Sequence, residues 1–150
     1  MKKLVIVNPT SGQHRAELFP EQLSAALNEL GGDVHYTNGA GDAERIALQA
    51  AMRGSCDAII AAGGDGTVNE VVNGIMNAPS DFPKPTIGII PLGTSNILAT
   101  ELGIPSTTLA DPIKVIEDGV VRNIDIGSVN GRFFTLMASF GWDAEAVKRV

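Results

Sequence analysis

Three features of the sequence predict an α/β fold: a three-layer, open and mainly parallel sheet flanked by helices, followed by the start of an antiparallel β domain. Short, continuously apolar runs alternate with segments of helical periodicity, the βαβαβαβα order that buries strands between two helical layers. Polar, glycine-containing turns follow several of these runs where strand should hand over to helix. Near the end the pattern gives way to two segments joined by Asn130-Gly131, a strong hairpin signal.

Leu4, Val5, Ile6 and Val7 form an unbroken apolar run, as expected of a strand covered on both faces. A helix follows with Leu23, Leu27 and Leu30 on one stripe, opened near Pro20 and stopped by Gly31-Gly32. Residues 33–37 read as the second strand. Asp42 is the expected cap of a second helix that carries Ile46 and Ala50. Residues 57–62 are the third strand, and the third helix is expected to begin at Thr67. There Thr67 and Glu70 have capping-box spacing, and Val68, Val71, Val72, Ile75 and Met76 form the buried face. Residues 86–91 make the fourth strand and open onto a helix over 95–102. Asp111 is the expected cap of the last helix, with Pro112 at its first position and Gly119 just past its end.

This α/β unit spans residues 1–119. Over 120–150 a second, β-rich domain is expected to begin, with strands at 120–129 and 132–139. Ile124 and Ile126 alternate with polar neighbours, and Phe134, Leu136 and Ala138 would share a face. A two-stranded hairpin is marginal alone, so the domain is expected to continue past Val150, and the chain itself to self-associate into a homo-oligomer or worse.

The 150 residues allow one well-packed domain and little more. With 44% hydrophobic and 19% charged residues, the composition is that of a folded globular protein. A net charge of -6 supplies no global basic field, which argues against nucleic acid as a partner. A phosphate ligand must therefore be held locally, by backbone N–H groups, a metal ion or a few basic side chains. Cys56 is the single cysteine, so no disulfide framework or Cys-rich metal site is available, which suits a reducing cytoplasm. The first apolar run stops at Asn8-Pro9, too soon for a signal peptide. No stretch approaches the ~18 apolar residues of a membrane span. A cytoplasmic protein is expected, meeting any lipid only transiently at the membrane surface.

The densest chemical signal is Gly63-Gly64-Asp65-Gly66-Thr67-Val68-Asn69-Glu70, between a buried strand and a helix. Glycines there let the backbone approach a phosphate, whose charge is met by free N–H groups and the helix dipole. Three glycines around an Asp exceed what a plain turn requires. Asp65 can coordinate Mg²⁺ beside bound phosphates or accept a proton from an attacking hydroxyl, and the residues alone do not choose between these roles. Pro91-Leu92-Gly93-Thr94-Ser95-Asn96 is a second such loop, with Asn96 offering an amide to a phosphate or ribose oxygen; alone it reads as an N-cap with a glycine. Asn8-Pro9-Thr10-Ser11-Gly12 is the third. Loops on one edge of one sheet would converge on a single crevice. His14 and His35 lack ligand spacing, and Arg15 reads as a solvated charge that can also help to hold a phosphate.

In the order and separation of these loops, the sequence resembles the diacylglycerol-kinase catalytic family, which includes bacterial lipid kinases and sphingosine kinases. The middle motif is shared with NAD kinases and, more loosely, phosphofructokinases; the other two loops are more specific to lipid kinases. The resemblance covers the whole chain and implies phosphoryl transfer from MgATP to a lipid hydroxyl, with ATP and Mg²⁺ as cofactors. It implies ATP phosphates against Gly63, Gly64, Asp65, Gly66, Thr67, Val68 and Asn69, with Gly93, Thr94 and Asn96 nearby and Asn8, Ser11 and Gly12 in the first loop. It also makes Thr37 a nucleotide contact. Phe140-Gly141-Trp142-Asp143-Ala144 resembles a motif that meets the lipid head group in sphingosine-type relatives, although Asp143 equally suits a helix N-cap and Trp142 a core position. Members of the family are longer, and their second domain supplies further acidic groups. The chain alone is therefore expected to be inactive, and the acceptor lipid stays open. The competing readings are an NAD kinase-like enzyme and a non-catalytic nucleotide-binding fragment.

Overall fold

The computed structural model describes residues 1–12 and 20–139. His14, Arg15, Trp142 and Asp143 lie outside the described residues. In chain order the elements are β1 (Lys3–Val7), α1 (Pro20–Leu30), β2 (Asp33–Tyr36), α2 (Asp42–Arg53), β3 (Ala58–Gly63), α3 (Asp65–Met76), β4 (Thr86–Pro91), α4 (Ile97–Glu101), α5 (Ala110–Asp118), β5 (Gly127–Val129) and β6 (Arg132–Phe134). The first four strands form a parallel sheet in the order β2-β1-β3-β4.

Side chains alternate across this sheet and divide the core into two halves. Leu4, Ile6, Ile59, Ala61 and Ile89 face α2, α3 and α4, meeting Ile46, Ala47, Val71, Ile75 and Leu98. Val5, Val7, Ile60, Ala62 and Ile90 face the other way, onto Leu23, Leu27 and Leu30 of α1 and Ile113 of α5. The apolar runs of β1 and β3 are continuous because both of their faces are covered. The predicted three-layer α/β class is the observed one. Helices α2 and α3 approach closely: a Cβ added at Gly74 would collide with the Glu44 carbonyl oxygen.

Several boundaries differ from expectation, each for a local reason. Helix α3 starts at Asp65, two residues early, with Gly64 as its extended N-cap, so no Thr67–Glu70 capping box forms. The N-cap of α2 is Gly41, not Asp42, whose carboxylate accepts the Asn38 N–H at 2.9 Å instead. Helix α4 is shorter than 95–102 because Asn96 takes a left-handed conformation (φ 48°) and Gly93–Asn96 bonds occupy the turn before it. Leu109, not Asp111, caps α5, while Asp111 accepts the Thr108 N–H at 2.8 Å.

The hairpin is present but small. Only Gly127–Val129 and Arg132–Phe134 pair, around Asn130-Gly131, both at positive φ. Residues 120–126 join no ladder because no described strand lies alongside them. Asn73, fully buried in α3, anchors the hairpin: its Oδ1 accepts the Phe133 N–H at 3.0 Å and its Nδ2 donates to the Phe133 carbonyl at 2.9 Å. Arg132 adds an ion pair to Glu44 of α2 at 3.0 Å, and Leu136 packs on the α2–α3 side of the core. No helix among the described residues is long and apolar enough to cross a membrane.

Candidate nucleotide site

At the carboxyl ends of β1, β2 and β3 lies a cavity of about 330 Å³ lined by Asn8, Thr10, Ser11, Thr37, Gly39, Ala40, Ala43, Gly64, Gly66, Thr67 and Glu70. Strand ends place these residues. The Asn8 N–H continues the β1 pairing onto the Ala62 carbonyl, and the Thr37 N–H bonds the Val7 carbonyl, both at 2.9 Å. The Asn8 side chain then braces both neighbours. Its Nδ2 donates to Thr67 Oγ1 at 3.1 Å, and its Oδ1 accepts the Thr10 N–H at 3.1 Å and the Thr10 hydroxyl at 2.9 Å. Ser11 Oγ accepts the Gly64 N–H at 3.2 Å, tying the first loop to the glycine-rich turn.

That turn is also locked to the loop after β4. A Cβ on Gly93 would lie 2.5 Å from Gly64 Cα and 2.7 Å from Asn96 Oδ1, so the close approach of the two backbones requires glycine at 93, while a Cβ on Gly64 would press on Gly93 Cα at 3.2 Å. Asn96 is buried and spends its amide on this arrangement, with its Oδ1 accepting the Gly93 N–H at 2.8 Å and its Nδ2 donating to the Gly93 carbonyl at 2.7 Å. Gly66 differs: a Cβ there would meet nothing within 4 Å. It is the open point of the turn, at the mouth of the cavity.

The structure therefore brings together Asn8, Ser11, Thr37, Gly64, Gly66 and Thr67 around one cavity, with Gly93 and Asn96 packed behind Gly64. Gly63 sits under the Thr67 side chain, Thr94 is exposed beyond the Gly93 turn, and Gly12 lies past Ser11 at φ 61°. Val68 belongs to the core, and its N–H is taken by the Gly64 carbonyl at 3.1 Å. Asn69 lies one helical turn before Asn73 and gives its carbonyl to the Asn73 amide at 2.8 Å; its buried Oδ1 has no hydrogen-bond partner among the described residues.

Asp65 accepts two backbone hydrogen bonds, from Ile97 N–H at 3.0 Å and Leu98 N–H at 3.1 Å, and so caps α4 from another helix. Glu70 does the same for α2, accepting the Gly41 N–H at 2.8 Å and the Ala43 N–H at 3.2 Å. Both are charge-assisted bonds to otherwise orphaned donors at helix starts. The sequence offers no direct signal for these caps, because donor and acceptor stand about thirty residues apart. Nor does it flag Asn73, except as one amide inside an apolar helix.

Asp42, at the start of α2, has its carboxyl pKa held below the usual range by the Asn38 backbone N–H and then by the Arg45 guanidinium. Among the described residues no cluster of three His, Cys, Asp or Glu side chains is placed to hold a metal ion. A larger cleft of about 680 Å³ opens at the amino ends of β1 and β2, beside Lys3, Arg53 and Cys56, whose thiol pKa is raised by burial. It contains none of the loop residues. The carboxyl-end cavity is the one that gathers residues of the first loop and of the glycine turn at the start of α3.

A family model described as the diacylglycerol kinase catalytic domain matches residues 2–129. A Bacillus subtilis (strain 168) protein named diacylglycerol kinase is 47% identical over 142 residues, which cover 91% of this chain and 45% of that protein. A Staphylococcus aureus (strain JH9) protein of the same name is 40% identical, over 91% of this chain and 42% of its own length. The crystal structure of a diacylglycerol kinase from Bacillus anthracis str. Sterne superposes with a TM-score of 0.71 at 35% identity, covering 89% of this chain and 45% of that one. The chain spans less than half the length of the curated relatives it matches.

Proposed function

The chain belongs to the diacylglycerol kinase catalytic domain family, and from that premise we propose that it is the nucleotide-binding portion of an ATP-dependent lipid kinase. The reaction is transfer of the ATP γ-phosphate to a lipid hydroxyl presented at a membrane surface. The observation that carries the reading is the convergence of Asn8, Ser11, Gly64, Gly66 and Thr67 on one cavity at the sheet's carboxyl edge, at the start of α3. Such an edge meets phosphate with backbone N–H groups and the positive end of a helix.

In this reading the triphosphate lies against Gly64, Gly66 and Thr67, and the nucleoside extends toward Thr37, Gly39 and Ala40. Phosphoryl transfer asks a protein mainly for positioning and for stabilisation of charge around the transferred group. Mg²⁺ fits a site with few carboxylates, because it is commonly held by one or two of them together with substrate phosphates. It would supply charge neutralisation at the phosphates. Glu70 is the carboxylate that lines the cavity, while Asp65, at the start of α3, turns its side chain to the N–H groups of α4. The two N–H groups on Asp65 use two of its roughly four acceptor sites, which leaves the others for an acceptor hydroxyl proton or the ion.

Calorimetry of MgATP against the chain, beside Gly64→Val, tests the reading. Saturable binding is expected, with loss in the variant, whose side chain must force Gly93 aside. A chain that circular dichroism shows to be folded and that takes up no MgATP overturns it. Binding of NAD in preference to MgATP moves the assignment to an NAD kinase-like activity.

A further inference from the structure

Helix α2 begins without a cap of its own. Its N-cap is Gly41, at φ 81°, with no side chain to satisfy the first N–H groups. The missing acceptor comes from α3, where the Glu70 carboxylate takes the Gly41 N–H at 2.8 Å on one oxygen and the Ala43 N–H at 3.2 Å on the other. Glu70, Gly39, Ala40 and Ala43 all line the cavity. One wall of that cavity is therefore the 37–43 loop, the other is the glycine turn that opens α3, and Glu70 is a direct bond between them.

We infer that Glu70 is a positioning residue for the nucleotide: it fixes the 37–43 loop against α3 and thereby sets the width of the cleft. This rests on the nucleotide reading of the same cavity. Three observations support it. Gly39 and Gly41 have no atom within 4 Å of an added Cβ, so packing does little to hold the loop. Below the loop, the contact of Gly74 with the Glu44 carbonyl fixes α2 against α3, so freedom lost or gained at Glu70 is expressed at the loop alone. Glu70 stands one helical turn after Gly66 on the same face of α3, so it reaches the 37–43 loop from the wall that carries the glycine turn. It acts through the loop it holds.

The test uses the chain with Glu70→Ala and Glu70→Gln, in two arms. In the first, amide exchange is followed by NMR without nucleotide. Glu70→Ala should raise exchange at Gly41 and Ala43 by roughly tenfold or more, the size expected when a hydrogen bond to a charged group is lost. Glu70→Gln, which keeps one oxygen acceptor, should preserve protection at one of the two amides. In the second arm, MgATP affinity should fall about tenfold in Glu70→Ala and recover to within about threefold of wild type in Glu70→Gln. Unchanged exchange at both amides in Glu70→Ala overturns the clamp. Raised exchange with unchanged affinity overturns the positioning role, and equal weakening in both variants assigns the effect to charge, which also overturns it. A wild-type chain that binds no MgATP ends the nucleotide reading and the positioning role with it, while the exchange arm still decides the clamp.

Discussion

Gly63, Gly64 and Gly66 stand within four positions of one another yet answer to different constraints. Gly63 leaves room for the Thr67 side chain and Gly64 for the backbone of Gly93, whereas Gly66 faces open space at the cavity. Gly66 is also in the first turn of α3, where glycine costs up to about 0.5 kcal/mol relative to alanine, the low end of its cost within a helix. Gly66→Ala should therefore stabilise the nucleotide-free chain by up to that amount and at the same time weaken MgATP binding, since the methyl occupies the phosphate approach. Denaturant melts and calorimetry on the same samples check both signs; a variant that gains stability with full affinity would mean the phosphates lie elsewhere. Asp42 gives a residue-scale test in acid. Its folded pKa is lowered from the ordinary 3.8, so its contribution is complete above that value and is lost as pH falls through the lower, folded pKa. An NMR titration of the Asn38 amide should show a midpoint below 3.8, and a midpoint at or above it would show that the Asn38 N–H bond and Arg45 do not hold the ionised form.

At the scale of elements, α3 is the hub. From one helix Asp65 reaches α4, Glu70 reaches α2 and Asn73 reaches β6. Replacing Asn73 with leucine leaves the half-buried Phe133 N–H and carbonyl without that partner, at about 1 kcal/mol each, the low end of the cost for an unsatisfied group. A two-stranded hairpin has little stability of its own. Exchange at Phe133 should therefore rise at least tenfold in Asn73→Leu, while amides of β1 and β3 keep their protection. Persistent protection at Phe133 would show that Leu136 and the Arg132–Glu44 pair suffice. These side-chain bridges explain what was and was not legible in the sequence. The strands of the parallel sheet were readable because burial on both faces writes an apolar run, as in Leu4 to Val7, and the three loops were readable because they sit at strand ends. The start of α3 lies at Asp65 and not at the Thr67 that the local capping-box pattern suggests, because Glu70 bonds the Gly41 and Ala43 N–H groups at the start of α2. Residues 120–126 looked like strand from alternation alone, but alternation does not supply a neighbour to pair with.

At the scale of the whole chain, two physical states of surface coexist. Through α5 most apolar side chains are buried against the sheet, with Met1 and Tyr36 the most exposed of the exceptions. Val120, Val121 and Met137, by contrast, stand 75%, 64% and 71% exposed, in the stretch that also carries the short hairpin. The β5 edge of the hairpin, which no described strand pairs, lies in the same stretch as these exposed apolar side chains, and such surfaces favour association with another copy. Opposing this is the net charge of -6, which makes copies repel at long range. The repulsion is screened within about 10 Å at 0.1 M salt, while the apolar attraction is not weakened by salt. Self-association should therefore grow with ionic strength as well as with concentration. Light scattering across a salt series should show rising mass in the wild-type chain and a much smaller rise in Val121→Lys/Met137→Lys. A monodisperse monomer at every salt and concentration would mean that the exposed side chains are too dispersed to act as one surface. Association that salt dissolves would mean that charge, not apolar contact, holds the copies together.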